Sequence, residues 1–347
     1  MRLSFLLLYT LLIVSGCTPL GDPSDNQYEV VYKINDIHST EIEKWRSEEI
    51  TIALVPKLIN IPYFNAVKEG ALEAGKDLGV EVIYTGSLLA DAKQQIKIIQ
   101  DLIEQRVDVI AVSVNDPKEL APVLLEAQAQ GIIVITWDAD AVPEARDFFI
   151  NMVDPEVLGR HLMDILAWNT SEEGEFAIMT GSMSAANLNE WLDWIKVQQE
   201  ENYPNMKLVE VVATDDDPNK AYTKAKELLL EYPNLKGIIG NSSVGPPAAA
   251  HAVKEQGKQG EVAVVGLSSP NQMNEHLKDG SAQIVTLWSP KKLGYLTVAL
   301  SKNAVNQTNP YDRQYIPKVG NIHVIDDVVI MGEPIDFTKD NVDQYDF

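Results

Sequence analysis

Ile50-Thr51-Ile52-Ala53-Leu54-Val55, then Pro56-Lys57, then a helical stretch from Pro62 to Leu78, is the run that decides the fold. A short apolar strand followed by an amphipathic helix is the opening of a βαβ unit, and the pattern repeats along the chain. Further strands are read at Val80 to Tyr84, Val107 to Val114 and Ile132 to Trp137, and a helix between the first two carries Ile96, Ile99, Leu102 and Ile103 on one face. Strands that are apolar almost throughout are covered on both faces, as in a parallel sheet. A second set follows at Phe176 to Met179, Leu208 to Ala213, Gly237 to Gly240, Val262 to Leu267 and Ile284 to Trp288, most of them separated by a helical segment. The sequence therefore predicts an α/β protein with two doubly wound parallel-sheet lobes.

Composition sets the outer bounds. The chain of 347 residues is 45% hydrophobic and 23% charged, ordinary for a globular protein. At about 150 residues per domain its length suits two lobes. The net charge of −23 stands out; an acidic surface repels phosphate backbones and so argues against a nucleic-acid partner. The histidines, His38, His161, His251, His276 and His323, are far apart and form no recognisable metal pair, so no metal and no cofactor is expected. The sequence has no nucleophile elbow, phosphate-binding glycine loop, zinc helix motif or dinucleotide fingerprint in its expected context, which argues against an enzyme.

At the front, Arg2 and the apolar stretch Leu6 to Val14 make a leader too short to span a membrane. Val14-Ser15-Gly16-Cys17 resembles the lipobox of bacterial lipoproteins, in which the cysteine thiol receives a lipid and becomes the mature N-terminus. Cys17 is the only cysteine, so no disulfide competes with that reading. Residues 1–16 are then a signal peptide and 17–49 a lipid-anchored tether, which as flexible coil reaches about 30 Å; an extra strand around Tyr28 to Ile34 is the alternative within it. More than one acyl chain makes such anchoring stable.

In an open α/β sheet a ligand lies outside the carboxyl ends of the strands, so the residues just after each strand carry the chemistry. Here they are Lys57 with Tyr63 and Phe64, then Asn115-Asp116, then Trp137-Asp138; in the second half they are Asn187 and Asn189, Asn241-Ser242-Ser243, Ser268-Ser269 and Trp288. A sugar presents an apolar C–H face and a fringe of hydroxyls, which calls for flat aromatic rings beside carboxylates, amides and cations. Asp138 and Asp140 alternate in an extended segment and so point the same way; Asp138 is assigned to hydroxyl recognition and Asp140 to a hinge or rim. One of Tyr63 and Phe64 packs in the core while the other faces the cleft, and the order stays open. Trp137 serves equally as strand-end core filler or pocket wall, whereas Trp288, followed by a serine and a proline, reads as a cleft wall. The triplet Asp215-Asp216-Asp217 is assigned to helix capping, with Asp217 at the N-cap and Pro218 first in the helix, rather than to calcium. Trp191 and Trp194, three apart, read as a packing stripe.

Val55-Pro56-Lys57, Tyr63-Phe64, Ile135-Thr136-Trp137-Asp138, Asn187-Leu188-Asn189-Glu190-Trp191, Gly266-Leu267-Ser268-Ser269-Pro270 and Leu287-Trp288 resemble the sugar-binding proteins of bacterial ABC importers. More narrowly they are similar to the branch holding rhamnose-binding and autoinducer-2-binding proteins. The resemblance runs from about Ile50 to the closing Asp336 to Phe347. It implies the type I periplasmic binding protein fold, with lobes joined by a multi-strand hinge that the chain crosses near Ile150-Asn151, near Trp288 and once more late in the chain. The implied division is 50–150 for the N-terminal lobe with 289–315 returning to it, 151–288 for the C-terminal lobe with 316–335, and 336–347 as a C-terminal tail.

Of the autoinducer-2 contacts that the branch implies, the lysine and an aspartate are present as Lys57 and Asp138. Asn187-Leu188 stands where an aspartate–glutamine pair is expected, and Asn241 and Ser243 where a proline and an alanine are expected. Val244-Gly245 and Leu293-Gly294-Tyr295 are similar to the rhamnose-binding members. The resemblance thus implies a monomeric, extracytoplasmic, lipid-anchored receptor in the periplasm or cell envelope that closes its lobes over a rhamnose-like deoxyhexose. Its partners would be the sugar, an ABC permease with its ATPase, and the membrane through the lipid on Cys17. Autoinducer-2 reception, or sugar sensing by docking on a chemoreceptor or sensor kinase, is the alternative.

Overall fold

The computed structural model describes residues 50–347. The leader, Cys17 and the tether, with the strand considered near Tyr28, lie outside the described residues. In the first lobe, β1 (Thr51–Val55), β2 (Glu81–Tyr84), β3 (Val109–Val112), β4 (Ile133–Trp137) and β5 (Phe148–Asn151) pair in parallel in the order β2-β1-β3-β4-β5. In the second, β6 (Gly174–Thr180), β7 (Met206–Ala213), β8 (Leu235–Gly240), β9 (Ala263–Leu267) and β10 (Ile284–Leu287) repeat that arrangement as β7-β6-β8-β9-β10, again parallel. Both lobes are therefore doubly wound, and each reverses strand order beside its first strand, the place where such sheets leave a crevice for a ligand.

The helices that matter for the site follow these strands. They are α1 (Pro62–Leu78), α2 (Ala92–Gln105), α3 (Pro117–Ala129), α4 (Pro155–Asn169), α5 (Ala186–Asn202), α6 (Pro218–Glu231), α7 (Gly245–Glu255), α8 (Pro270–Asp279) and α9 (Pro290–Val305). Asp217 caps α6 by accepting the backbone N–H groups of Asn219 and Lys220, with Pro218 at the first helical position, as the sequence predicts. The return of the chain to the first lobe after β10 is enforced by two glycines: a Cβ on Gly294 would lie 2.0 Å from the Val67 carbonyl oxygen, and one on Gly70 1.8 Å from that of Lys291. Only hydrogen at both positions lets α9 lie directly on α1.

The last part of the chain departs from the sequence reading. The segment 316–335 is expected in the second lobe, yet after a small antiparallel pair, β11 (Tyr315–Ile316) with β12 (Gly320–Asn321), the strands β13 (His323–Ile325) and β14 (Val328–Ile330) extend the first-lobe sheet, β14 running parallel to β5. Without them β5 would be an edge strand with unpaired backbone groups, and the hairpin covers it. The expected tail at 336–347 is likewise built in. Ile335–Phe337 forms β15, antiparallel to β10, and Phe337 meets the rings of Tyr345 and Phe347 edge-on at 4.8 and 5.8 Å. The backbone passes between the sheets after β5, after β10 and after β14.

Candidate functional site

The strand ends of the first lobe are held by a residue the sequence reading did not single out. Gln95, buried on α2, donates through Nε2 to the carbonyls of Pro56 (3.1 Å) and Ser113 (2.8 Å) and accepts the Asn115 N–H (2.9 Å). One amide side chain thereby ties the loop after β1 to the loop after β3. The Asn115 side chain completes the tie by donating to the Lys57 carbonyl at 2.9 Å.

From this frame Lys57 and Asp138 face the cleft. Asp138 has a left-handed backbone (φ 62°), a conformation that short polar residues tolerate. That twist breaks the strand alternation, so Asp138 and Asp140 part company. Asp138 accepts hydrogen bonds from Tyr63 Oη (3.1 Å) and Ser113 Oγ (2.7 Å) and lies 3.5 Å from Lys57 Nζ. Asp140 instead turns to Arg146, pairing with its Nε and Nη2, and takes the Thr136 hydroxyl; Arg146 reaches on to Asp327 between β13 and β14. Asp140 is a staple across the sheet edge rather than the hinge or rim residue expected.

Tyr63 joins the two sides of the site. Its hydroxyl donates to Asp138 and accepts from Trp288 Nε1 at 3.0 Å. Burial, and then the adjacent Asp138 carboxylate, hold its phenol well above the usual pKa, so it remains a donor. Lys57 Nζ crosses from the first lobe to donate to Asn187 Oδ1 on α5, at 2.8 Å. The rings of Trp288 and Trp191 meet at 5.8 Å, and Tyr63 meets Trp288 edge-on at 6.2 Å, which builds an aromatic wall.

These residues enclose a cavity of about 50 Å³, room for a few water molecules. Of the residues expected from sequence, Lys57, Tyr63, Phe64, Asp138, Asn187, Asn241, Ser242, Ser243 and Trp288 line it, while Ser269 caps α8 by accepting the Gln272 N–H. Tyr63 and Phe64 both border it, so the expected division between core and cleft does not hold. Five others stand apart. Trp137 is fully buried against Phe64 (rings 5.8 Å apart), as core filler. Asn115 belongs to the Gln95 tie, and Asp116 caps α3 by accepting the N–H groups of Lys118 and Glu119. Asn189 donates to the Met183 carbonyl, and Ser268 to that of Ser243.

Two side chains in the wall were assigned other duties by the sequence reading. Trp191, taken for part of a packing stripe, lines the cavity, while Trp194 packs under Arg160, whose guanidinium carbon is 5.0 Å from the ring centroid. Asp216, taken for part of a capping cluster, also lines it and is buried. Desolvation raises its pKa, opposed by the Lys57 ammonium and the Ser242 hydroxyl. Ile61, Leu188, Leu267 and Leu287 supply the apolar remainder. Among the described residues no group of three His, Cys, Asp or Glu side chains could hold a metal ion, and no helix is long and apolar enough to cross a membrane.

Two doubly wound lobes with a buried, aromatic and hydrogen-bonding cavity between their strand ends define a bilobal ligand-binding protein. The family model for the periplasmic binding protein domain matches residues 52–309, and the chain belongs to that family. It is 26% identical over 255 residues, covering 71% of this chain and 78% of the relative, to a D-ribose/D-allose-binding protein of Pseudomonas aeruginosa. Among solved structures it is similar to LsrB from Clostridium saccharobutylicum in complex with AI-2, with a TM-score of 0.82, 25% identity and coverage of 86% of this chain and 100% of the other. It is also similar to an ABC transporter solute-binding protein from Clostridium phytofermentas with bound L-rhamnose, with a TM-score of 0.81, 28% identity and coverage of 86% and 98%.

Proposed function

We propose that this protein is the sugar-capturing component of a bacterial ABC importer, taking L-rhamnose or a related deoxyhexose between its lobes and delivering it to a membrane permease. The observation that carries the reading is the meeting of Lys57, Asp138 and Asn187 beside Tyr63, Trp191 and Trp288. Charged and amide groups there can bind hydroxyls in pairs, and the rings offer flat apolar faces to a sugar's C–H groups and to the methyl of a deoxyhexose. The similarity to proteins that bind ribose, allose and rhamnose supports the same class. The lining comes from both lobes and is largely buried, so a ligand held among these residues would enter as the lobes separate and be captured as they close. The lobes would be the units named from sequence, with β13 and β14 moved to the first.

A second reading, autoinducer-2 reception, is favoured by the similarity to LsrB together with Lys57 and Asp138. Asn187-Leu188 and Asn241 with Ser243 count against it, since they replace the polar and apolar groups that the resemblance implies for that ligand. Thermal unfolding of the purified mature protein against L-rhamnose, other deoxyhexoses, pentoses, hexoses and autoinducer-2 decides between them. A ligand at a hundredfold excess over its dissociation constant stabilises by about 2.7 kcal/mol and shifts the midpoint visibly. A shift confined to rhamnose and its relatives supports the first reading, one confined to autoinducer-2 the second, and no shift with any member rejects both. The lipid anchor on Cys17 is tested separately: Cys17→Ser is expected to move the protein from the membrane to the soluble fraction.

A further inference from the structure

We propose that Asp216 is a ligand-binding carboxyl, the second lobe's counterpart of Asp138, and that it selects ligands presenting hydrogen-bond donors to that lobe. This rests on the reading of the cleft as a sugar site and sharpens it. Capping does not account for Asp216, because Asp217 alone accepts the free N–H groups at the start of α6. Asp215 does not share its role either, being exposed and paired with Lys220.

The backbone is set to turn this one side chain inward. Asp215 and Asp216 both have φ of 53°, the left-handed region that non-glycine residues enter only at a cost. The space the carboxyl occupies is kept open by Gly181, just beyond the end of β6: a Cβ there would lie 2.6 and 2.8 Å from the two Asp216 carboxyl oxygens. The result is an acid that is 8% exposed, on the cavity wall, with Lys57 of the opposite lobe as the cation drawing its pKa down.

Two neighbouring wall groups point to a ligand independently. Asn241 is fully buried and donates through Nδ2 to the Leu188 carbonyl, but its Oδ1 has no partner among the described residues. Trp191 is 2% exposed, and its Nε1 also lacks one. Buried polar atoms without partners are destabilising and uncommon, and both residues line the same space as Asp216. Together the second lobe offers two kinds of acceptor and one N–H donor. A polyol whose adjacent hydroxyls donate to Asp216 and Asn241, and whose ring or hydroxyl oxygen accepts from Trp191, satisfies all three. The aspartate that the family resemblance implies at position 187 is an asparagine here, and Asp216 supplies a carboxyl to the same lobe from another strand end.

The test is titration calorimetry on the mature protein with L-rhamnose, D-allose, D-ribose and autoinducer-2, with ligand-free thermal midpoints measured alongside. Asp216→Ala is expected to weaken binding of whichever probe the native protein takes by about tenfold or more. Gly181→Ala should weaken it in the native background and have a smaller effect in Asp216→Ala, where of the close contacts to the new Cβ only the Leu188 methyl at 2.8 Å remains. Unchanged affinity in Asp216→Ala overturns the proposal. The second measurement needs no ligand. A carboxyl whose folded pKa is raised favours folding below its unfolded pKa and loses that contribution as pH rises through the folded value, with Lys57, Asp138 and Asp215 the charges that tune it. Asp216→Asn, which keeps the shape and tolerates the same backbone, should therefore raise the ligand-free midpoint at neutral pH. The gain should shrink as the pH approaches 3.8. An unchanged or lowered midpoint overturns the proposal, since a structural acid would be missed. If the native protein takes none of the four probes, the sugar reading fails while the midpoint still decides the role of Asp216.

Discussion

The two walls of the cavity are built on opposite terms. On the first-lobe side every polar group is already engaged: Asp138 holds Tyr63 and Ser113 and faces Lys57, Tyr63 takes the Trp288 N–H, and Gln95 ties the loops beneath. On the second-lobe side Asn241 Oδ1 and Trp191 Nε1 are buried without partners among the described residues, in the wall that also holds Asp216. One wall is preorganised by its own hydrogen bonds, and the other is completed only by what enters. Substitutions in the first wall should therefore disturb stability and binding together, whereas those in the second should separate them.

The largest effect is expected from Asp138→Ala. It strands a lysine, a tyrosine hydroxyl and a serine hydroxyl in a buried site, so binding should fall by at least about a hundredfold and unfolding free energy by about 3 kcal/mol. Calorimetry and urea unfolding measure the two, and an unchanged stability would break the comparison. Tyr63→Phe comes next. It removes a donor to Asp138 and an acceptor for Trp288 while keeping the ring, and should cost about 1–2 kcal/mol in stability with a roughly tenfold loss of affinity. Smallest is Trp191→Phe, which deletes an N–H that has no partner among the described residues. It should weaken binding by a few fold with stability changed by no more than about 1 kcal/mol, the remainder reflecting the smaller ring. A loss of stability as large as that of Tyr63→Phe would place Trp191 with the first wall instead.

How much of this was legible in the chain depends on what each residue does besides lining the site. Lys57, Asp138, Asn187, Asn241 and Trp288 were readable because a doubly wound sheet puts the ends of its strands at the ligand, and strand ends can be found from apolar runs. Asp216 was hidden by its neighbour: a capping motif accounts for the composition of Asp215-Asp216-Asp217, and only the tertiary packing, with Asp216 buried against Gly181 and the other two exposed, separates the inward carboxyl from the outward ones. Trp191 was hidden by spacing, since a tryptophan three residues from another looks the same whether it faces core or cleft. Gln95 left no signal, because a buried amide on an amphipathic helix is indistinguishable in sequence from a polar surface residue. The strand-end rule overreached at Asn115, Asp116, Asn189 and Ser268, whose groups secure the loops that carry the others. Three-residue strands such as β13 and β14 show no periodicity, which is why the sequence reading leaves 323–330 with the second lobe.

The left-handed backbone at Asp138 also bears on how this binding site can change over time. Asparagine, aspartate and glycine enter that region at the least cost, and β-branched side chains at the greatest. Most substitutions reachable from an aspartate codon, valine and alanine among them, would first have to force the loop out of shape. A lineage drifting toward a new ligand has one easy step here that keeps an acceptor, aspartate to asparagine, which gives up the charge; the other easy step, to glycine, gives up both. Changes of specificity should accumulate instead on the opposite wall, where no such backbone filter stands at Asn241 or Trp191.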